Sequence, residues 1–175
     1  MQKSDKQQLT DAQKKAAEFL TRPKPDFAVW RREREVAAAA RATIGDVMED
    51  GTVYAGFSPE RNAYMFVPTE GSPALVSFNQ AAQYVRECSA HGYTDWQLPT
   101  REELKIFIIN KEAGALKGTF NARSYWSSTA DEHNPDFNCI VDSKYCSVKS
   151  YAYRDNEKNI EGCRPVRYVA AAPQV

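Results

Sequence analysis

Apolar positions along this chain recur first at a helical period and, from about Ile44 onward, mostly in short strand-like runs. Thr10-Asp11-Ala12-Gln13 is a capping box, and it predicts a short helix to about Leu20. Pro23 and Pro25 end that helix, since each lacks an N–H and restricts the residue before it. Asp26 then caps a second helix, predicted from Phe27 to about Ala42. Its Phe27, Trp30, Ala37 and Ala40 lie three, seven and three apart, a helical spacing that forms one apolar stripe. Such a stripe serves either to pack the helix on its own domain or to oligomerise or dock, and both readings stay open.

Beyond Ile44, Asp50-Gly51 marks a turn, and Thr52–Phe57 and Ala63–Val67 read as a β-hairpin. Ser77-Phe78-Asn79-Gln80 is a second capping box, opening a helix with Phe78, Ala82, Val85 and Cys88 on one face and a stop at Gly92. Thr100-Arg101-Glu102-Glu103 opens a third, with Leu104, Phe107 and Ile108 inward. After Gly114 and Gly118 the chain turns strand-like over Tyr125–Thr129, Phe137–Val141, Tyr145–Tyr153 and Pro165–Val169. The expected class is α+β, with a helical extension over residues 1–44, a domain over 45–169 and a tail over 170–175.

Charge narrows the function classes. The 23 Lys+Arg balance 23 Asp+Glu, and residues 1–50 hold ten of the basic and nine of the acidic groups, so neither part is basic. That balance argues against a duplex-DNA binder and a polybasic membrane-surface protein, and it favours a protein or neutral-glycan partner. No apolar run approaches the roughly 20 residues that cross a bilayer. The N-terminus lacks the apolar core of a secretion signal, so the expected location is the cytoplasm, a particle, or export by a signal-less route. Cys88, Cys139, Cys146 and Cys163 include no C-x-x-C pair and read as thiols.

Candidate chemistry is sparse. His91 falls at a helix end, where it can satisfy a terminal carbonyl, and His133 lies in a polar loop. No nucleophile elbow, zinc-protease, phosphate-loop or dinucleotide motif occurs, and the adjacent Glu102 and Glu103 point to different helix faces. The 131–138 loop offers oxygens from Asp131, Glu132, Asn134, Asp136 and Asn138, but at no EF-hand spacing. The expectation is no catalytic residue, no metal and no cofactor. Composition shifts instead: residues 121–163 hold 19 Asn, Tyr, Asp and Ser in 43 positions, against 18 in the first 120. Tyr gives rigid amphipathic area and the short polar groups give adaptable hydrogen bonds, the mixture that recognition surfaces use. The candidate ligand-binding residues are Asn134, Asp136, Tyr145, Tyr151, Tyr153, Arg154 and Asn156. Tyr145, Tyr151 and Tyr153 would share a face of one regular strand, unless a bulge intervenes.

Gly92-Tyr93-Thr94-Asp95-Trp96-Gln97-Leu98-Pro99-Thr100-Arg101-Glu102-Glu103-Leu104 resembles the D-W-R-L-P-T-x-x-E-L block of the bacterial Lcl C-terminal-domain-like family. Tyr125-Trp126-Ser127-Ser128-Thr129 and Arg164-Pro165-Val166-Arg167 match two further blocks in order, and Gly45-Asp46 with Asp50–Gly56 resembles the entry strand. The resemblance covers roughly 45–169. It implies a C-type-lectin-like fold and a binding module, attached in many members to surface or phage-like proteins; the founding adhesin binds sulfated polysaccharides. Related folds serve as variable proteins of diversity-generating retroelements, with changeable residues near the C-terminus. The catalytic cysteine arrangement of formylglycine-generating enzymes, which share the broad fold, is not recognisable in Cys139, Cys146 and Cys163. Gln97 stands where the family has Arg, and the lectin calcium motifs are missing apart from an echo in Asn134-Pro135-Asp136. Trp96, Pro99, Trp126, Arg164 and Arg167 are the expected fold determinants. The alternative to a ligand-binding protein is a structural component of a phage-like or surface assembly, oligomerising through residues 10–42.

Overall fold

The computed structural model describes residues 26–69, 75–116 and 120–172, and these form two three-stranded antiparallel sheets and three α-helices. The expected Thr10 capping box, its helix and the Pro23–Pro25 break lie outside the described residues, as does the very end of the tail. By compactness the chain divides into Met1–Glu33 and Arg34–Val175. Helix α1 spans Phe27–Ala39, and Asp26 Oδ1 caps it by accepting from the N–H groups of Ala28 at 2.9 Å and Val29 at 3.4 Å. It ends three residues before the expected limit.

Strands β1 (Val53–Ser58), β2 (Ala63–Val67) and β6 (Arg167–Ala170) form the first sheet in the order β1-β2-β6. The chain leaves it for α2 (Phe78–Glu87) and α3 (Arg101–Glu112), both opened by complete capping boxes at Ser77 and Thr100. The second sheet, β3 (Ser124–Ala130), β4 (Phe137–Asp142) and β5 (Ser147–Tyr153), follows in sequence order. The last strand then returns to the first sheet beside β2.

Strand alternation explains how the core divides. Cys139 and Val141 of β4 join Leu104, Phe107 and Ile108 of α3 together with Val53, Met65 and Val67 of the first sheet. Ile140, one residue out of phase, points to the opposite face and packs with Trp126, Ala152 and the Ala81–Val85 side of α2. The central strand is thus covered on both faces and contributes almost nothing to the surface. A third cluster, Tyr54, Phe66 and Val169, takes Ala39 and Val36.

Several expected details differ. On α2 the fully buried alanine is Ala81, not Ala82, and the helix stops at Glu87 with extended Cys88 as its cap. A separate 3-10 turn, Ala90–Gly92, precedes Tyr93, with left-handed backbone at His91 (φ 56°) and Gly92 (φ 77°). Ala37 and Ala40 are exposed, because Val36 and Ala39 present the buried side of this part of α1. β5 begins at Ser147 rather than Tyr145, since Asp142 closes a turn by accepting from Lys144 N (2.8 Å) and Tyr145 N (3.0 Å). β6 begins at Arg167, after Val166 has exchanged two backbone bonds of 2.9 Å with Gln97.

Candidate functional site: one end of the second sheet

The motif block from Asp95 to Glu103 is the support on which the site stands. Trp96 and Leu98 are buried while Asp95 and Gln97 are exposed, and Pro99 is buried with its carbonyl accepting from Ser128 N at 2.8 Å. Trp126 is fully buried, stacks edge-on against Phe78 and donates from its indole N–H to Val76 O at 2.8 Å. The buried Arg164 lies over the Phe120 ring at 5.3 Å and donates to the Pro68 carbonyl; burial pulls its pKa down to about 10.

Arg167 is held by Asp95 (3.1 Å) and Glu35 (3.2 Å) and lies 3.7 Å above the Tyr93 ring. The Tyr93 hydroxyl donates to Asp50 at 2.9 Å and Glu35 at 3.1 Å. Burial first, then the Asp50 contact, raises the Tyr93 pKa. Burial opposes ionisation of Asp50, yet hydrogen bonds from Thr52 and Tyr93 outweigh it and keep that carboxyl below its ordinary value.

Glu103 does more than close its capping box. Its carboxylate, 1% exposed, accepts from Thr100 N (2.8 Å), Ser58 Oγ (2.7 Å), Arg61 Nε (3.2 Å) and Tyr168 OH (2.6 Å). One buried acceptor therefore joins α3 to β1, the β1–β2 turn and β6. Burial and that carboxylate raise the Tyr168 pKa.

Five of the seven proposed ligand-binding residues meet at one end of the second sheet. The β3–β4 loop is shaped by Asp131, whose Oδ1 accepts from His133 N (2.8 Å) and Asn134 N (2.9 Å), while Asn134 Oδ1 accepts from Asp136 N (3.2 Å). Arg154, just past β5, donates its N–H to Asp136 O at 3.0 Å and its guanidinium to Pro135 O. Phe137 and Tyr153 face each other across β4 and β5 with ring centroids 5.6 Å apart. Asn156 folds the following turn, its Oδ1 accepting from Lys158 N at 3.0 Å. Asn134, Asp136, Tyr153, Arg154 and Asn156 thus form one surface.

The other two candidates separate from it. Tyr145 sits in the β4–β5 turn at the opposite end, 67% exposed, with Lys144 over its ring. The β4–β5 register shifts between Ile140 and Val141, so Lys149 is unpaired, and the three tyrosines do not share a regular strand face. The bulge aims Lys149 at Glu161 (2.8 Å) and Ser124 (3.1 Å). Tyr151, opposite Cys139, packs partly into the core, and its hydroxyl accepts from Arg101 Nη1 at 3.2 Å.

The profile of the Lcl C-terminal domain family matches residues 29–167. The chain belongs to that family. The match contains the whole of the second sheet and the three ordered motif blocks. No curated protein matches the chain.

Sequence reading missed three neighbours of this loop surface. Phe137 backs Tyr153, Phe78 lies 5.6 Å beneath the Arg154 guanidinium, and Asn79 donates to Asp155 at 3.1 Å. Phe137 could have been found from hairpin register, but only with the bulge known. His91 also differs from expectation: its ring meets Thr69, Nε2 to Oγ1 at 3.1 Å, instead of a helix-terminal carbonyl. Among the described residues no group of three or more His, Cys, Asp or Glu side chains could hold a metal ion. The four cysteines are free, and burial pushes the Cys163 thiol up to about 12. No helix among the described residues is long and apolar enough to cross a membrane.

Proposed function

We propose that this Lcl C-terminal domain is a non-enzymatic binding module on a C-type-lectin-like scaffold, taking a protein or neutral glycan at the sheet end built from residues 131–138 and 153–156. The observation that carries the reading is the meeting of the two polar-aromatic segments, through Arg154 N–Asp136 O at 3.0 Å and the Phe137–Tyr153 pair. Their scaffold, by contrast, is tied down by buried groups such as Trp126 and Glu103. Loops with adaptable side chains on a rigid frame are the usual placement of binding residues. Membership of the family and the Asn/Tyr/Asp/Ser enrichment of 121–163 fit a retroelement variable protein, and we extend the proposal to that role. No nucleic acid, membrane insertion or cofactor enters this reading, and the proposed location is the cytoplasm, a particle, or outside the cell by a signal-less route. Glycan and protein arrays probed with the full chain test it. Hits should disappear in a Tyr153→Ala/Asn156→Ala variant whose melting temperature stays near that of the parent, and retention of every hit would refute the site.

A second reading rests on Phe27, Val29 and Trp30, exposed by 68%, 51% and 51%. These residues suit oligomerisation through residues 10–42, as in a particle component. Light scattering of the full chain beside a Phe27→Ser/Trp30→Ser variant tests it, because a monomeric parent would refute helix-driven assembly.

A further inference from the structure

We infer that the ligand of this surface is a cationic protein segment, presenting Lys or Arg side chains, rather than a neutral glycan; the inference rests on the binding reading above. The two segments that meet here, 131–136 and 154–158, carry Asp131, Glu132, Asp136, Asp155 and Glu157 against Arg154 and Lys158. Five carboxylates facing two cations leave a surplus of three negative charges, within a chain whose net charge is zero. Arg154 is already counted in that surplus, and its guanidinium is directed to the Pro135 carbonyl and the Phe78 ring.

Phe137 and Tyr153, the strand-end residues adjoining the two segments, pair with each other, and Tyr153 is 42% exposed. An aromatic face attracts a cation by its quadrupole, and flanking carboxylates add Coulombic attraction. The protein uses this combination twice in its own fold. Arg167 lies over Tyr93 between Asp95 and Glu35, and Arg61 lies 4.3 Å from the Tyr168 ring centre beside Glu103. At the sheet end the ring and the carboxylates are present, and the chain's own guanidinium is turned to Pro135. The acidic groups come from two separate segments that leave the sheet next to Phe137 and Tyr153, which suits a partner with several charges spaced along a chain better than a single small cation.

Titration calorimetry on the full chain, with three probes, tests the inference: a short Lys/Gly peptide, its Glu/Gly counterpart and cellohexaose. The Lys peptide should bind, and rising sodium chloride should weaken it. Tyr153→Ala should weaken it about three- to tenfold, and a Glu132→Gln/Asp136→Asn variant about threefold. The Glu peptide should not bind. Binding of cellohexaose alone, lost in Tyr153→Ala, would overturn the cationic partner while leaving the binding surface in place. Lys-peptide binding unchanged in both variants, or no binding of the Lys peptide at all, would also overturn it.

Discussion

Replacing Glu103 with glutamine tests whether one buried carboxylate holds the scaffold together. The substitution preserves shape and removes charge, so its cost comes from the four donors around it. Oε2 accepts from Thr100 N and Tyr168 OH, while Oε1 accepts from Ser58 Oγ and Arg61 Nε. The two hydroxyls can turn and accept; Thr100 N and Arg61 Nε can only donate. Whichever way the new amide is oriented, its NH₂ meets one of these N–H groups. Facing Arg61 is the cheaper choice, because that side chain is 37% exposed and can swing into water. Hydrogen bonds to a charged group contribute about 1.5–3 kcal/mol each, and removing one partner of a buried ion pair costs about 3–5 kcal/mol. With the Arg61 part discounted for solvent screening, Glu103→Gln should cost about 3 kcal/mol. For a chain of this size that corresponds to a fall in melting temperature of about 6–12 °C. Urea unfolding with unchanged slope measures it, and Glu102→Gln is the control. Glu102 is 42% exposed and bonds the partly exposed Arg101 and Lys105, so its loss should stay within about 0.5 kcal/mol. A Glu103→Gln cost below about 1 kcal/mol would refute the hub.

Trp126→Ala removes a fully buried indole and its bond to Val76, and should cost about 3–5 kcal/mol by the same unfolding assay. Tyr145→Ala should change stability by less than about 0.5 kcal/mol, whereas Tyr151→Phe should cost about 1 kcal/mol through the lost Arg101 bond; equal effects would contradict their separation. Asp50 has a folded pKa below its ordinary 3.8, so its contribution is complete at neutral pH and fades as acid protonates it. Melting curves of the parent and Asp50→Asn should therefore differ at pH 7 and draw together as the pH falls below 3.8 and through the lowered folded value; a gap that stays constant in acid would contradict this. Half-buried Cys146 should react first with a thiol reagent, and Cys146→Ser should remove that phase, because Cys88, Cys139 and Cys163 are buried.

Local signals carried much of the fold. The boxes at Ser77 and Thr100 need only four residues to be recognised, and both close as read. Alternation around Trp96 and Leu98 likewise assigned inside and outside correctly. Long-range pairings were not legible. Glu103 reads as a capping residue, yet three of its four donors come from Ser58, Arg61 and Tyr168, separated from it by 45, 42 and 65 positions. The tyrosine spacing from 145 to 153 failed as a face because the Asp142 turn ends at Tyr145 and a bulge follows at Lys149. Neither leaves a period in the sequence. The two segments that composition singles out, 131–136 and 154–156, do meet through backbone and aromatic contacts. Their shared end of the sheet follows from strand direction, which composition does not encode.

The central claim is that ligand binds where those loops meet. Amide hydrogen exchange on the full chain, with and without a saturating array-derived ligand, measures this most directly. Protection should rise in residues 131–136 and 153–158 and stay unchanged in the turn at 143–147. Protection confined to 143–147, or to α1, would contradict the account.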